Sequence, residues 1–143
     1  MKNKSLLNKL YIALCLTFLV TSCFAQKKES MLDGRTYIVE VTELNMDGTS
    51  HVLEKDEIRF KEGMVSAKFG TKNGFPGALY KVMVNNAVSP AEITFKGESK
   101  NADRNTLKWV GSIKGEIITG RAPRTRTNKK GCDYVFSGKL IKK

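Results

Sequence analysis

Apolar and polar side chains alternate with a period of two along much of the chain after residue 31, as in half-buried β-strands. In the first such run, Arg35–Leu44, Tyr37, Val39 and Val41 share one face. The run ends at Asp47–Gly48, a pair that favours a tight hairpin turn. No stretch shows a convincing helical period of 3.6 residues, so the pattern predicts an all-β domain.

Clusters of Gly, Asn, Asp and Pro separate about eight runs of this kind. Short turns between successive strands are typical of an antiparallel up-and-down meander. The predicted strands are Arg35–Leu44, His51–Lys61, Met64–Phe69, Leu79–Val84, a run around Ile93 and Phe95, Leu107–Lys114, Ile117–Ala122 and Tyr134–Leu140.

Three glycines, Gly97, Gly111 and Gly138, have the same parity as the inward-facing side chains of their strands. Glycine at such positions permits sharp bends, which favours a strongly coiled sheet that closes into a small barrel. A barrel of eight strands has room for its own side chains or for one small ligand, and both alternatives remain open. The predicted interior residues are Tyr37, Val39, Phe60, Phe69, Tyr80, Phe95, Trp109 and Phe136.

The first 25 residues predict an export signal, because lysines precede an apolar run, Leu10–Val20, and small residues follow it. Val20–Cys23 resembles a bacterial lipobox, which implies a signal of residues 1–22 and lipidation of Cys23. Cleavage after Ala25 would instead release a soluble product. A linker, residues 26–32, and one β-barrel domain, residues 33–143, follow. We expect an exported protein of the bacterial cell envelope, either lipid-anchored or soluble.

The chain has 25 basic and 14 acidic residues, a net charge of +11, which favours anionic partners. In an envelope these are a membrane surface or lipopolysaccharide, and nucleic acid is not expected. The strongest charge feature is residues 121–130. It is interpreted either as a hydrated hairpin loop or as a surface that contacts anions. The predicted anion contacts are Arg121, Arg124, Arg126, Lys129 and Lys130.

The sequence offers little catalytic chemistry. His51 is the only histidine, and we expect it on the surface. Cys132 is predicted to be a structural thiol near a strand start. The carboxylates between Glu54 and Glu62 fall on alternating faces, which predicts that they are solvated. Metal-ligand clusters and phosphate-binding loops are absent from the sequence. We therefore expect no enzyme activity, no catalytic residue, no metal and no cofactor.

Three segments, Asp56–Gly63, Trp109–Gly120 and Tyr134–Gly138, resemble those of small exported lipocalin-like (calycin-like) β-barrel proteins of bacteria. The resemblance implies that a small hydrophobic molecule binds in the barrel. The chain has Gly34–Tyr37 where the transport lipocalins have a Gly-x-Trp segment. Two function hypotheses follow: a binding module that holds such a ligand, and an interaction module whose basic surface contacts anionic envelope components.

Overall fold

A computed structural model describes residues 31–127 and 129–142. The predicted export signal, the lipidation site at Cys23 and most of the linker lie outside these residues. Within these residues the chain forms nine β-strands and one short helix. Their bounds are β1 Thr36–Asn45, β2 Ser50–Val52, β3 Asp56–Lys61, β4 Met64–Ser66, α1 Lys68–Thr71, β5 Ala78–Asn85, β6 Glu92–Lys100, β7 Thr106–Lys114, β8 Ile117–Thr125 and β9 Cys132–Lys142.

The strands form a closed antiparallel barrel of eight strands, in which β2 is an extra strand on β1. β1 pairs with β3, each strand from β3 to β9 pairs with the next in the chain, and β9 pairs with β1 to close the sheet. This confirms the predicted all-β, up-and-down barrel. Within the described ranges, no helix is long and apolar enough to cross a bilayer.

Two of the predicted strands are longer than the strands in the structure. The run His51–Lys61 is divided between β2 and β3, because the chain gains one residue relative to β1 at this point: Thr42 pairs with Val52, whereas Val39 pairs with Asp56. The run predicted to reach Phe69 ends at Ser66, and α1 follows. Phe69 is therefore on a helical turn, although its side chain is buried as predicted.

The predicted glycines stand where the interior is tightest. A Cβ atom on Gly138 would lie 1.9 Å from the carbonyl oxygen of Ile38, across the seam between β9 and β1. A Cβ atom on Gly111 would lie 2.5 Å from the ring of Phe95. Neither position can accept a larger residue without moving backbone or a buried ring.

The turn that precedes β1 covers one end of the barrel. Leu32 is fully buried, and the Gly34 amide donates to the carbonyl of Phe60 at 2.8 Å. The Asp33 carboxylate accepts hydrogen bonds from the Tyr80 hydroxyl at 2.8 Å and from the Gly63 amide at 3.0 Å. Burial, together with this carboxylate, raises the pKa of Tyr80. The opposite end, where β1, β6 and β8 end and β7 and β9 begin, is called the mouth below.

Replacing Gly138 tests whether the barrel depends on its closing seam. We expect Gly138→Ala to lower the free energy of unfolding by about 3 kcal/mol or more, because the added methyl group meets backbone on β1. Gly77→Ala is the matched control, since its Cβ would meet only the flexible side chain of Met64. Urea unfolding of both variants measures the difference, and equal midpoints would contradict a tight seam at Gly138.

Candidate functional site

All eight predicted interior side chains are buried and face inward, seven from strands and Phe69 from α1. Phe60 contacts Tyr37, Tyr80 and Phe95 edge to face, with ring centroids 6.1, 5.2 and 5.1 Å apart. These are the distances and angles of packed aromatic rings. The aromatic side chains around Phe60 therefore pack directly against one another.

A second group of rings leads from the interior to the mouth. Trp109 lies 5.2 Å from Phe69 and 6.0 Å from Phe136, and Phe69 lies 4.7 Å from Tyr134, measured between ring centroids. Phe69 thus lies between the mouth and Trp109, the single tryptophan of the chain. Any change at the mouth that moves Phe69 also alters the surroundings of Trp109.

Two polar atoms of the interior residues lack a hydrogen-bond partner in the described part of the chain. They are the hydroxyl oxygen of Tyr37 and Nε1 of Trp109. A buried donor without an acceptor costs about 1–3 kcal/mol. The buried hydroxyl of Ser99 also lacks a partner there, so the interior is apolar overall but retains three groups that could take part in a hydrogen bond.

A cleft of about 760 Å³ opens at the mouth. Its wall combines apolar, basic and acidic side chains, and we call it the mouth cleft. The lining residues are Glu43, Leu53, Glu54, Lys55, Asp56, Lys68, Phe69, Lys72, Asn73, Arg124, Arg126 and Tyr134. Phe69 and Leu53 supply its apolar floor and side, and the basic residues outnumber the acidic ones.

Arg124 lies on β8 with the parity of the inward-facing Ala122. Its Nη1 atom donates to Oδ1 of Asn73 at 2.6 Å, and its guanidinium carbon lies 5.5 Å from the centre of the Phe75 ring. These contacts hold the guanidinium at the cleft wall. Its buried Nε atom has no partner among the described residues.

Arg126 follows two residues later on the same side of the chain. Its Nη2 atom lies 4.0 Å from Sγ of Cys132, and its Nε atom is also buried without a partner in the described ranges. As far as the described residues extend, neither Arg124 nor Arg126 has a carboxylate oxygen within 4.0 Å. Both guanidinium groups therefore keep hydrogen-bonding capacity for an anion.

A second, smaller cleft of about 540 Å³ lies beside the mouth cleft. The two clefts share Asn73, Arg124 and Arg126, and Lys129 lines the second one. The arginine pair is thus reached from two directions.

Asn73 connects the loop after α1 to the barrel wall. Its Nδ2 atom donates to the carbonyl of Phe69 at 2.7 Å and approaches the Tyr134 hydroxyl at 3.4 Å. The backbone carbonyl oxygen of Asn73 accepts a hydrogen bond from Nδ2 of Asn101 at 3.1 Å. With the bond from Arg124, these contacts make Asn73 the residue that positions the guanidinium.

Asp56 is buried, with 6% of its surface exposed, which corrects the prediction of a solvated carboxylate. Its oxygens accept from the amides of Glu57, Lys68 and Phe69 at 2.6, 3.0 and 2.7 Å. Two of these amides begin α1, whose first N–H groups lack helical acceptors. Asp56 therefore fixes α1, and with it Phe69, at the mouth.

Tyr134 and Cys132 lie next to the arginine pair. Burial raises the pKa of Tyr134 to about 12, while the hydrogen bond with Arg124 acts in the opposite direction. Burial also raises the pKa of the Cys132 thiol, with a further contribution from Glu43. The thiol is buried at the first residue of β9, as predicted, and both groups are protonated at neutral pH.

The five predicted anion contacts do not form one surface, and residues 121–125 belong to β8 rather than to a loop. Arg121 points outward and forms an ion pair with Asp133. Arg124 and Arg126 line the mouth cleft, and Lys129 and Lys130 are exposed in the turn before β9. A run that looks uniform in sequence is divided because alternate strand residues face opposite sides.

Sequence reasoning missed the residues that surround the arginine pair at the mouth. Asn73, Asp56 and Glu43 reach the cleft from three separate parts of the chain. The parity that Arg124 and Arg126 share with Ala122 was the one available signal. Within the described residues, no group of three or more His, Cys, Asp or Glu side chains could hold a metal ion. His51 is exposed on β2, as predicted.

Comparison of the chain with protein-family models, with curated proteins and with solved structures finds no match. The barrel is compatible with a lipocalin-like fold.

Removing the Asp56 carboxylate tests its role in placing Phe69. We expect Asp56→Ala to lower the free energy of unfolding by about 2–4 kcal/mol, because three buried or partly buried amides lose their carboxylate acceptor. Trp109 fluorescence should also change, since Phe69 contacts the indole. Glu57→Ala is the control, because the neighbouring Glu57 carboxylate pairs with the exposed Arg59. An unchanged emission spectrum in Asp56→Ala would contradict this role.

The pH dependence of stability tests the environment of Tyr134. Its pKa is about 12 in the folded protein and about 10 in an unfolded chain. Its contribution to stability is therefore complete below pH 10 and is lost as the pH rises through 12. We expect Tyr134→Phe to lose less stability than the wild type over this interval. The difference between the near-ultraviolet titrations of the wild type and of Tyr134→Phe gives the ionisation of Tyr134. It should be centred near pH 12, and a value near pH 10 would contradict the assignment.

Proposed function

We propose that this protein is a non-enzymatic, lipocalin-like binding protein of the bacterial envelope that holds a small amphipathic anion at the mouth of its barrel. The observation that carries the proposal is the pair Arg124 and Arg126. Both line one cleft, and neither has a carboxylate partner in the described part of the structure.

The chemistry of the cleft defines the ligand class. Two guanidinium groups bind a phosphate, sulfate or carboxylate with paired donors, and Lys68 and Lys72 add positive charge at the rim. Leu53 and Phe69 offer an apolar surface directly beside these groups. An acidic head with a short apolar part matches this arrangement better than a purely hydrophobic molecule.

The mouth cleft lies next to the interior site in which the sequence predicts a hydrophobic ligand. Phe69 is the ring between the cleft and Trp109, so an apolar tail that displaced Phe69 would enter the predicted interior site. The ring contacts around Phe60 favour a ligand that stays near the mouth. Burial of the tail there contributes about 25 cal/mol per Å² of apolar surface removed from water.

Exposed Lys129 and Lys130 stand at the same end of the barrel as Arg126. Positive charge around an opening raises the local concentration of anions and speeds their association. The predicted export signal would bring this opening to the envelope, where acidic amphiphiles are abundant. Lipidation of Cys23, or its absence, would decide whether the protein stays on a membrane or diffuses freely.

Binding of decyl phosphate, with octyl glucoside as the uncharged comparison, tests the proposal. We expect decyl phosphate to change Trp109 fluorescence and the uncharged amphiphile to bind more weakly. Arg124→Gln with Arg126→Gln should lower the affinity for decyl phosphate by a factor of about 100 or more, because charge-assisted hydrogen bonds contribute about 1.5–3 kcal/mol each. Isothermal titration calorimetry gives the dissociation constants.

Arg121→Gln is the matched control, because Arg121 lies on the same strand but faces outward against Asp133. Its effect on affinity should be small. Equal losses in the control and in the double variant would show that overall charge, rather than the cleft, determines binding. If the protein does not bind decyl phosphate, its ligand is not an acidic amphiphile of this kind.

A further inference from the structure

The outer face of β5, β6 and β7 carries apolar side chains that the barrel does not use. Leu79 and Met83 on β5 are 74% and 64% exposed, and Val110 on β7 is 42% exposed. Strand register defines what we call the β5–β7 face. It consists of nine of the outward positions, three on each strand, which are Leu79, Lys81, Met83, Thr94, Lys96, Glu98, Lys108, Val110 and Ser112.

Positive charge is interspersed with these apolar side chains. Lys81 pairs across the strands with Lys96, which pairs with Val110, so one row of the face contains two lysines and an exposed valine. Lys108 lies in the next row beside Glu98, the single acidic residue of the face, at 4.0 Å. Three lysines against one glutamate leave the face positive.

The spacing of the apolar side chains separates two kinds of partner. Leu79 and Met83 are about 13 Å apart along β5, and Val110 is about 10 Å away across two strand spacings. A protein interface has a continuous apolar centre from which lysine is depleted. Isolated apolar side chains between lysines suit a layer in which each can insert among acyl chains while the ammonium groups meet lipid phosphates.

We propose that the β5–β7 face docks on the surface of a membrane that contains anionic phospholipids. The lysines provide the attraction and the selectivity for negative charge, and Leu79, Met83 and Val110 insert at the level of the headgroups. This surface shares no residue with the mouth cleft, so its docking does not depend on the ligand proposed above.

Amine footprinting of the full chain tests the docking face. The protein is acetylated with a water-soluble reagent in the presence of vesicles made of equal parts phosphatidylglycerol and phosphatidylcholine. Modification of each lysine is read by mass spectrometry. We expect the rates at Lys81, Lys96 and Lys108 to fall severalfold, while those at Lys61 and Lys139 stay unchanged. These two controls lie on β3 and β9, away from the β5–β7 face.

Because every lysine is followed within one chain, any membrane affinity of residues 1–30 affects the test and control lysines alike. Equal protection of all five lysines would overturn the proposal in favour of nonspecific adsorption. Equal protection by pure phosphatidylcholine would overturn the role of charge. Protection without vesicles that grows with protein concentration would assign the face to a second copy of the chain.

Replacing the apolar side chains provides a second test. Leu79→Ser with Met83→Ser should remove most of the protection of Lys81 and Lys96, because insertion is lost while the charge is kept. Ile141→Ser is the matched control, since Ile141 is 57% exposed on β9. Lys81→Ser with Lys96→Ser should weaken vesicle binding by roughly ten- to thirtyfold and thereby remove most of the protection of Lys108. Protection that survives both double variants would overturn the proposal.

Discussion

The antiparallel pairing of β1 with β9 is the interaction on which the rest of the molecule depends. It runs along the whole of β1, from Thr36 to Asn45, and joins the first strand of the sheet to the last. Without it the sheet would have two free edges and its inward side chains would face water. Gly138 marks how closely the two strands approach, because no Cβ atom fits between them.

Closure also decides where chemistry can occur. The enclosed space of an eight-stranded barrel is close to the volume of its own side chains, and the aromatic rings around Phe60 and Trp109 occupy much of it. Polar and charged groups are therefore found at the ends. At one end Asp33 holds Tyr80, and at the other Asp56 holds α1. The second contact places Phe69 as the floor of a cleft whose wall carries two arginines without a carboxylate partner among the described residues.

The strands and the inward set were predictable from the sequence because both follow from alternation. All eight predicted interior residues are buried, and the parity of the glycines indicated closure before any contact was known. The break between β2 and β3, and the helical turn α1, were not predictable in this way. The break follows from a one-residue shift in the pairing with β1, and α1 depends on Asp56 accepting amides 12 and 13 residues further along the chain. No local pattern encodes either contact.

The mouth cleft was predictable only in part. Arg124 and Arg126 were identified, but charge alone indicated either a hydrated loop or an anion-contacting surface, whereas Arg124 lies on β8 and Arg126 directly follows its last residue. Because alternate residues of a strand face opposite sides, Arg121 lies on the outer wall and Arg124 lies in the mouth cleft. Asn73, which positions Arg124, reaches it from 51 residues away and had no signal of its own.

The β5–β7 face and the mouth cleft point in directions about perpendicular to each other. Wall side chains project across the barrel axis, whereas the mouth opens along it. A barrel docked on a membrane by its β5–β7 face would therefore lie on its side, with the mouth opening along the bilayer surface rather than toward the solvent above it. In that position the guanidinium groups of Arg124 and Arg126 would stand near the level of the lipid phosphates. An acidic amphiphile leaving the bilayer could then reach the cleft without exposing its apolar part fully to water, which lowers the free-energy cost of its transfer.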